Sequence, residues 1–163
     1  MILIRNITGQ SQCDGTVNRQ SLGNTLVKCG MFGATVSDTD MALIYNDFFA
    51  YNLPLKVTRK QVKETLGFSE KTLKRWQVFI IDVNRIDSEY PYREIHLNFY
   101  SKQGCRRNSI LRGLTLYQVF VFFLIHYLRK ATQLSYEQTA YYLDKILEIF
   151  NVEEFEKWKL KTL

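Results

Sequence analysis

Residues 58–76 read TRKQVKETLGFSEKTLKRW, and the fold turns on this stretch. Thr58 and Gln61 match a capping box, in which a hydroxyl and an amide three residues apart each satisfy a free backbone N–H of a helix start. Val62 and Leu66 follow at i, i+4 on one face. Gly67 suits the left-handed residue that closes a helix, Phe68 can fill the angle between two helices, and Ser69 can cap the next one. Leu73 and Trp76 give that second helix an apolar face at i, i+3. The spacing predicts two short helices joined by a tight turn, a helix-turn-helix. The positions left outside are Arg59, Lys60, Lys63, Glu70, Lys71, Lys74 and Arg75, almost all basic. An amphipathic hairpin with a merely solvated face has the same pattern, so the charge distribution has to decide between them.

The chain has 163 residues and a net charge of +6. Residues 1–56 carry four Lys/Arg and four Asp/Glu, and residues 113–163 carry six of each. Residues 57–76 carry six basic groups against two acidic ones, and residues 77–112 carry six against four. The whole excess lies in the middle third and most of it within the helix-turn-helix. That is the footprint of a localised phosphate-binding surface rather than of a uniformly basic protein.

Working outward, residues 38–52 read as a short helix capped by Asp38, with Met41, Ile44, Tyr45 and Phe48 on one face and Leu53-Pro54 ending it. Residues 1–37 are rich in Asn, Gln, Ser, Thr and Gly and show no helical period. They suggest an N-terminal arm with weak strands at 1–4 and 26–28, and Met41 is an alternative start because ordered patterning begins there. Residues 78–81 and the alternating Ile95, Leu97 and Phe99 suggest a strand pair, the wing of a winged helix. The loop 101–109 adds Arg106 and Arg107, placed to reach a phosphate backbone or to serve solubility alone.

Leu114, Tyr117, Val121, Leu124 and Leu128 step by three and four, the seam of a helix packed along its length. Phe120, Phe122, Phe123 and Ile125 make its other faces apolar, so it needs cover all round. The seam is a candidate homodimer interface and equally a candidate monomer core. At fifteen residues the apolar run 114–128 is short of the roughly 20 that a membrane span needs. Ser135 with Gln138 caps a second helix running to about Phe150, and Phe155 with Trp158 marks a closing amphipathic helix. The expected fold is mainly α with a small β wing. It divides into an arm with a short helix over residues 1–55, a winged helix-turn-helix over 56–112 and a helical dimerisation region over 113–163.

Three widely spaced cysteines and two histidines thirty residues apart fit neither a disulfide framework nor a metal site. A reducing, cytoplasmic setting follows as an expectation, with no metal and no cofactor. No phosphate-cradling glycine loop or nucleophile–His–acid arrangement is present, which argues against an enzyme.

The 58–76 stretch resembles the winged helix-turn-helix of the MerR family of transcription regulators. In that family the first helix ends in a Gly-containing turn and the second runs through a Thr-Leu-Arg-aromatic stretch. Here Thr72, Leu73, Lys74, Arg75 and Trp76 stand in that place. LTLYQVFVFFLIHYLRKATQLSYEQTAYYLDKI, residues 114–146, is similar to the family's helix-loop-helix after the wing, with Leu134-Ser135 opening its second helix. The resemblance spans roughly residues 56–148. Departures are a long preceding segment, a longer wing region and little chain after Phe150 for the family's long coiled-coil helix and sensor domain. This shortened layout is similar to that of the small MerR-type repressors of type V-K CRISPR-associated transposons.

The resemblance implies that the second helix enters the major groove, N-terminal end toward base edges. Lys71 and Arg75, one turn apart, are the first candidates for base or phosphate contact, and Thr72 and Lys74 lie on the same short helix. A bidentate Arg–guanine pair discriminates by about 1–3 kcal/mol. Ser69 and the amides beside it suit a phosphate. Glu70 suits a cytosine amino group or simply the helix dipole. Arg59, Lys60, Lys63, Arg106 and Arg107 would set register on the backbone. The implied partners are double-stranded DNA, as a palindromic operator, and a second copy of the chain. The expected function is a homodimeric, sequence-specific repressor. An excisionase-like or architectural DNA-binding factor and a helical protein-interaction module are the alternatives.

Overall fold

A computed structural model of the chain describes residues 15–33, 35–82, 93–100 and 113–162. In chain order the elements are α1 (Gly15–Phe32), α2 (Asp38–Phe49), β1 (Lys56–Val57), α3 (Arg59–Leu66), α4 (Glu70–Trp76), a π-helical turn (Gln77–Ile81), α5 (Arg93–Phe99), β2 (Leu114–Thr115), α6 (Leu116–Ala131), α7 (Tyr136–Ile146) and α8 (Val152–Thr162). The fold is mainly helical with one small antiparallel sheet, in which Lys56 pairs with Thr115 and Val57 with Leu114.

Helix α6 is the axis of the core. Twelve of its sixteen residues are buried, as expected of a helix apolar on every face. The cover comes from the chain itself. Phe48 of α2 meets Phe120 and Phe123, with ring centroids 5.2 Å away in each case. Trp76 of α4 and Phe99 of α5 both pack on Phe122. Phe155 of α8 lies 5.1 Å from Phe120 and 5.3 Å from Tyr117. The Tyr127 hydroxyl donates to the Asp47 carboxylate, tying α6 to α2. Leu114, Tyr117, Val121, Leu124 and Leu128 are at most 5% exposed within the single chain. They are buried in the core of the single chain, as the monomer-core reading of this seam expects.

Strands β1 and β2 each run straight into a helix opened by the same Thr-x-x-Gln box: Thr58 with Gln61, and Thr115 with Gln118. Gln118 is 1% exposed and does two jobs. Its Oε1 accepts from Thr115 N–H at 2.9 Å, and its Nε2 donates to the carbonyl of Phe99 at 3.1 Å. The amide thereby joins the start of α6 to the end of α5 without leaving a buried polar atom unmade.

Several expectations are corrected. The 26–28 strand is helix α1, which begins well before Met41 and packs on the core; residues 1–4 lie outside the described residues. Leu22, Gly23, Leu26, Cys29 and Gly30 make its buried face. A Cβ on Gly23 would sit 2.8 Å from Ala131 Cβ, and one on Gly30 would sit 2.7 Å from Tyr142 Cβ. The helix is held by close approach of small residues to α6 and α7, so its apolar signal is weak. Helix α2 is capped by Ser37, not Asp38, through the Asp40 N–H at 3.1 Å, although Met41, Ile44, Tyr45 and Phe48 are buried as expected.

The anticipated wing strands are helical too. Residues 77–81 continue α4 as a π turn. In α5 the buried residues are Ile95, Asn98 and Phe99, an i, i+3, i+4 set, whereas Leu97 is half exposed. Burial of the polar Asn98 hid that helical period. Its Oδ1 accepts from the Val152 N–H at 3.1 Å, opening α8. Leu147 and Phe150 are buried as expected, but α7 ends at Ile146 and they belong to the turn that follows.

Candidate nucleic-acid interface

The helix-turn-helix is built by the local chemistry of residues 58–76. Thr58 N–H donates to Gln61 Oε1 at 2.8 Å and Gln61 N–H to Thr58 Oγ1 at 3.1 Å, closing the capping box of α3. Gly67 ends that helix at φ +80°, its N–H on the Lys63 carbonyl at 3.0 Å. Nothing lies within 4 Å of where its Cβ would be, so the glycine is needed for conformation and not for space. Ser69 Oγ accepts from Thr72 N–H at 3.1 Å and donates to Thr72 Oγ1 at 2.9 Å. Both hydroxyls are thus engaged in the cap of α4.

Val62 and Leu73 are fully buried, and Phe68 and Trp76 nearly so. The Phe68 ring lies 5.4 Å from Trp76 and 4.9 Å from His126 of α6, and this fixes the pair of helices on the core. With the apolar side committed, Lys60, Lys63, Glu70, Lys71, Lys74 and Arg75 are exposed, while Arg59, Ser69 and Thr72 are half-buried. Among the described residues the ion pairs are Lys157–Glu154 and Lys159–Glu156, both within α8. Among the described residues, none of the cations of α3 and α4 is paired with a carboxylate. Arg106 and Arg107 lie outside the described residues.

The second helix does not stop at Trp76. Asp82 N–H bonds the Gln77 carbonyl at 2.8 Å, an i to i−5 closure that widens the helix into a π turn. Tyr100 holds both ends of it. Its hydroxyl accepts from Gln77 Nε2 at 3.3 Å and donates to Asp82 Oδ1 at 2.7 Å. Ile80 and Ile81 go into the core, and Val78 and Phe79 are 42% and 51% exposed. Lys71, Lys74, Arg75, Val78 and Phe79 are thus the exposed residues of one continuous face. The sequence reading missed this extension because the run VFII has the composition of a strand, and periodicity alone cannot separate a short buried strand from helix.

No family model, curated protein or solved structure matches this chain. The chemistry of the surface is accordingly read from its own residues. Among the described residues no cluster of three or more His, Cys, Asp or Glu side chains could hold a metal. None of the described helices is long and apolar enough to cross a membrane. An open groove of about 870 Å³ between α5 and the start of α8 is lined by Glu94, His96, Glu153, Glu156 and Lys157 among others; its three carboxylates repel phosphate.

Proposed function

We propose that the chain is a sequence-reading, DNA-binding transcription regulator that presents α4 to the major groove. The observation that carries this reading is the division of α3 and α4 into a buried apolar side and an exposed side with five cations, Lys60, Lys63, Lys71, Lys74 and Arg75. Duplex DNA offers one negative charge for about every 1.7 Å of axis, and a compact cluster of lysines and arginines gains by releasing its counterions. Lys71 and Arg75 are the proposed base-edge or phosphate contacts, Lys74 lies beside them on α4, and Lys60, Lys63 and Arg59 on α3 are proposed to grip the backbone. Glu70 suits a cytosine amino group or the dipole of its own helix. The resemblance to MerR-type regulators supports a homodimeric repressor on a palindromic operator. Any second copy would meet the chain elsewhere than on the buried 114–128 seam.

The test is binding of purified protein to DNA from upstream of its own gene, titrated against salt with random DNA as competitor. Wild type is compared with the Lys71→Ala, Arg75→Ala double variant. Binding that survives competitor, weakens steeply with salt and collapses in the variant supports the reading. Equal binding to every duplex points instead to an architectural or excisionase-like role. No binding at low salt would overturn DNA recognition altogether.

A further inference from the structure

We propose that Phe79 is a specificity-determining residue whose half-exposed side chain reads the 5-methyl group of a thymine. The proposal rests on the DNA-reading role of α4 and names what lies at the far end of the same face. That face begins with Lys71, Lys74 and Arg75 and ends with Val78 and Phe79, the latter half exposed.

A large apolar side chain at this position would lose water more favourably in the core. The π turn keeps it out, because the widened helix sends Ile80 and Ile81 inward together and leaves Val78 and Phe79 beside the cations. The ring is held in place. It stacks on Tyr136 of α7 with centroids 5.5 Å apart and planes 11° from parallel. Tyr136 is itself covered by the Arg129 guanidinium 4.5 Å from its centroid. Arg129 donates to the Leu134 carbonyl at 3.1 Å and to Thr139 Oγ1 at 3.2 Å, so it is fixed as well.

One face of the Phe79 ring is therefore spent on Tyr136, and the ring is already ordered before any ligand arrives. That lowers the cost of making a contact. Charge complementarity at Lys71, Lys74 and Arg75 puts a duplex on this face. Within a major groove the apolar group on offer to a phenyl ring is the thymine methyl; the remaining base-edge groups are donors and acceptors. A half-occupied aromatic ring is suited to that contact and unsuited to phosphate.

The experiment first selects duplexes from a random pool with the wild-type protein. Each thymine of the selected site is then replaced in turn by deoxyuridine, which removes only the methyl group. Wild-type protein is expected to lose about three- to tenfold in affinity at one position, the scale of one buried methyl group. Phe79→Ala is expected to bind thymine and deoxyuridine there equally, with the salt dependence of wild type. Wild-type indifference to deoxyuridine at every position overturns the proposal without requiring any variant to fold. Phe79→Ala binding weakened equally for both bases also overturns it, since that is a structural role. If Phe79→Ala instead abolishes self-association in sedimentation and leaves base preference intact, the patch belongs to a second copy of the chain. If wild type selects no duplex and binds none at low salt, DNA recognition fails together with this inference. Selection of a site by wild type with no methyl effect removes this inference alone.

Discussion

The Asp144 carboxylate of α7 accepts the backbone N–H of Ile95 at 2.9 Å, capping the first turn of α5 from 49 residues away. Helix α5 spans only Arg93–Phe99, too short to hold itself in water, so this long-range cap and the burial of Ile95 and Phe99 are what make it a helix.

Burial pushes the Asp144 carboxyl above the usual aspartate range, with the nearby Glu94 and Glu148 adding to it and the backbone hydrogen bonds from α5 pulling the other way. The native state therefore holds this proton more tightly than the unfolded chain, whose aspartates titrate near 3.9. The stability contributed by this group is fully present below that unfolded value and falls as the pH rises through the raised native value. Asp144→Asn keeps an acceptor for the cap and removes the titration. Urea unfolding across this range should show a smaller loss with rising pH in the variant. Asp144→Ala removes the cap and should cost about 0.5–2 kcal/mol.

Tyr45 and Tyr117 make opposite predictions. The Tyr45 ring is fully buried, stacked 5.0 Å from Phe120 and 5.2 Å from Trp158, and its hydroxyl has no hydrogen-bond partner among the described residues. Burial raises both phenols above the ordinary tyrosine range, so each stays neutral. Tyr45→Phe removes an unmade polar group and should leave stability unchanged or raise it by about 1 kcal/mol. Tyr117 donates to the Phe150 carbonyl at 2.8 Å in a buried site. Tyr117→Phe should cost about 1–3 kcal/mol. Chemical denaturation of the two variants side by side checks both signs.

Gly23 and Gly30 let α1 lie against the backbones of α6 and α7. The atoms that an added Cβ would meet include the Tyr127 carbonyl oxygen at 3.0 Å and the Tyr142 Cα at 3.0 Å, neither of which can swing away. Gly23→Ala and Gly30→Ala should each lower stability by about 1–3 kcal/mol, even though alanine is the better helix former. A midpoint shift in urea at unchanged slope would show it, and a stability gain in either variant would sink this account of α1.

Gly67 separates fold from recognition in the helix-turn-helix. Gly67→Ala forces a Cβ into a left-handed residue and should cost about 1 kcal/mol. The Lys71→Ala, Arg75→Ala double variant alters exposed side chains and should stay within about 0.5 kcal/mol of wild type in thermal unfolding. A stable double variant makes any loss of DNA binding a loss of contact.

What residues 58–76 say locally holds in the tertiary structure. The Thr58 box, the left-handed Gly67, the Ser69 cap and the buried Leu73 and Trp76 are interactions between residues a few positions apart, so their spacing carries them. The capped α7, the closing α8 and the unbroken apolar α6 were legible for the same reason. The identity of what covers α6 was not, because that depends on chain from Leu22 to Phe155 converging in space. Helix α1 was hidden because Gly23, Cys29 and Gly30 share its buried face with Leu22 and Leu26, which dilutes the apolar period. Helix α5 was hidden because a buried Asn98 and a distant Asp144 supply what its own sequence lacks. The π turn that leaves Val78 and Phe79 beside the basic residues is likewise a tertiary decision, set by Tyr100 bridging Gln77 and Asp82 and by a core with room for Ile80 and Ile81 together.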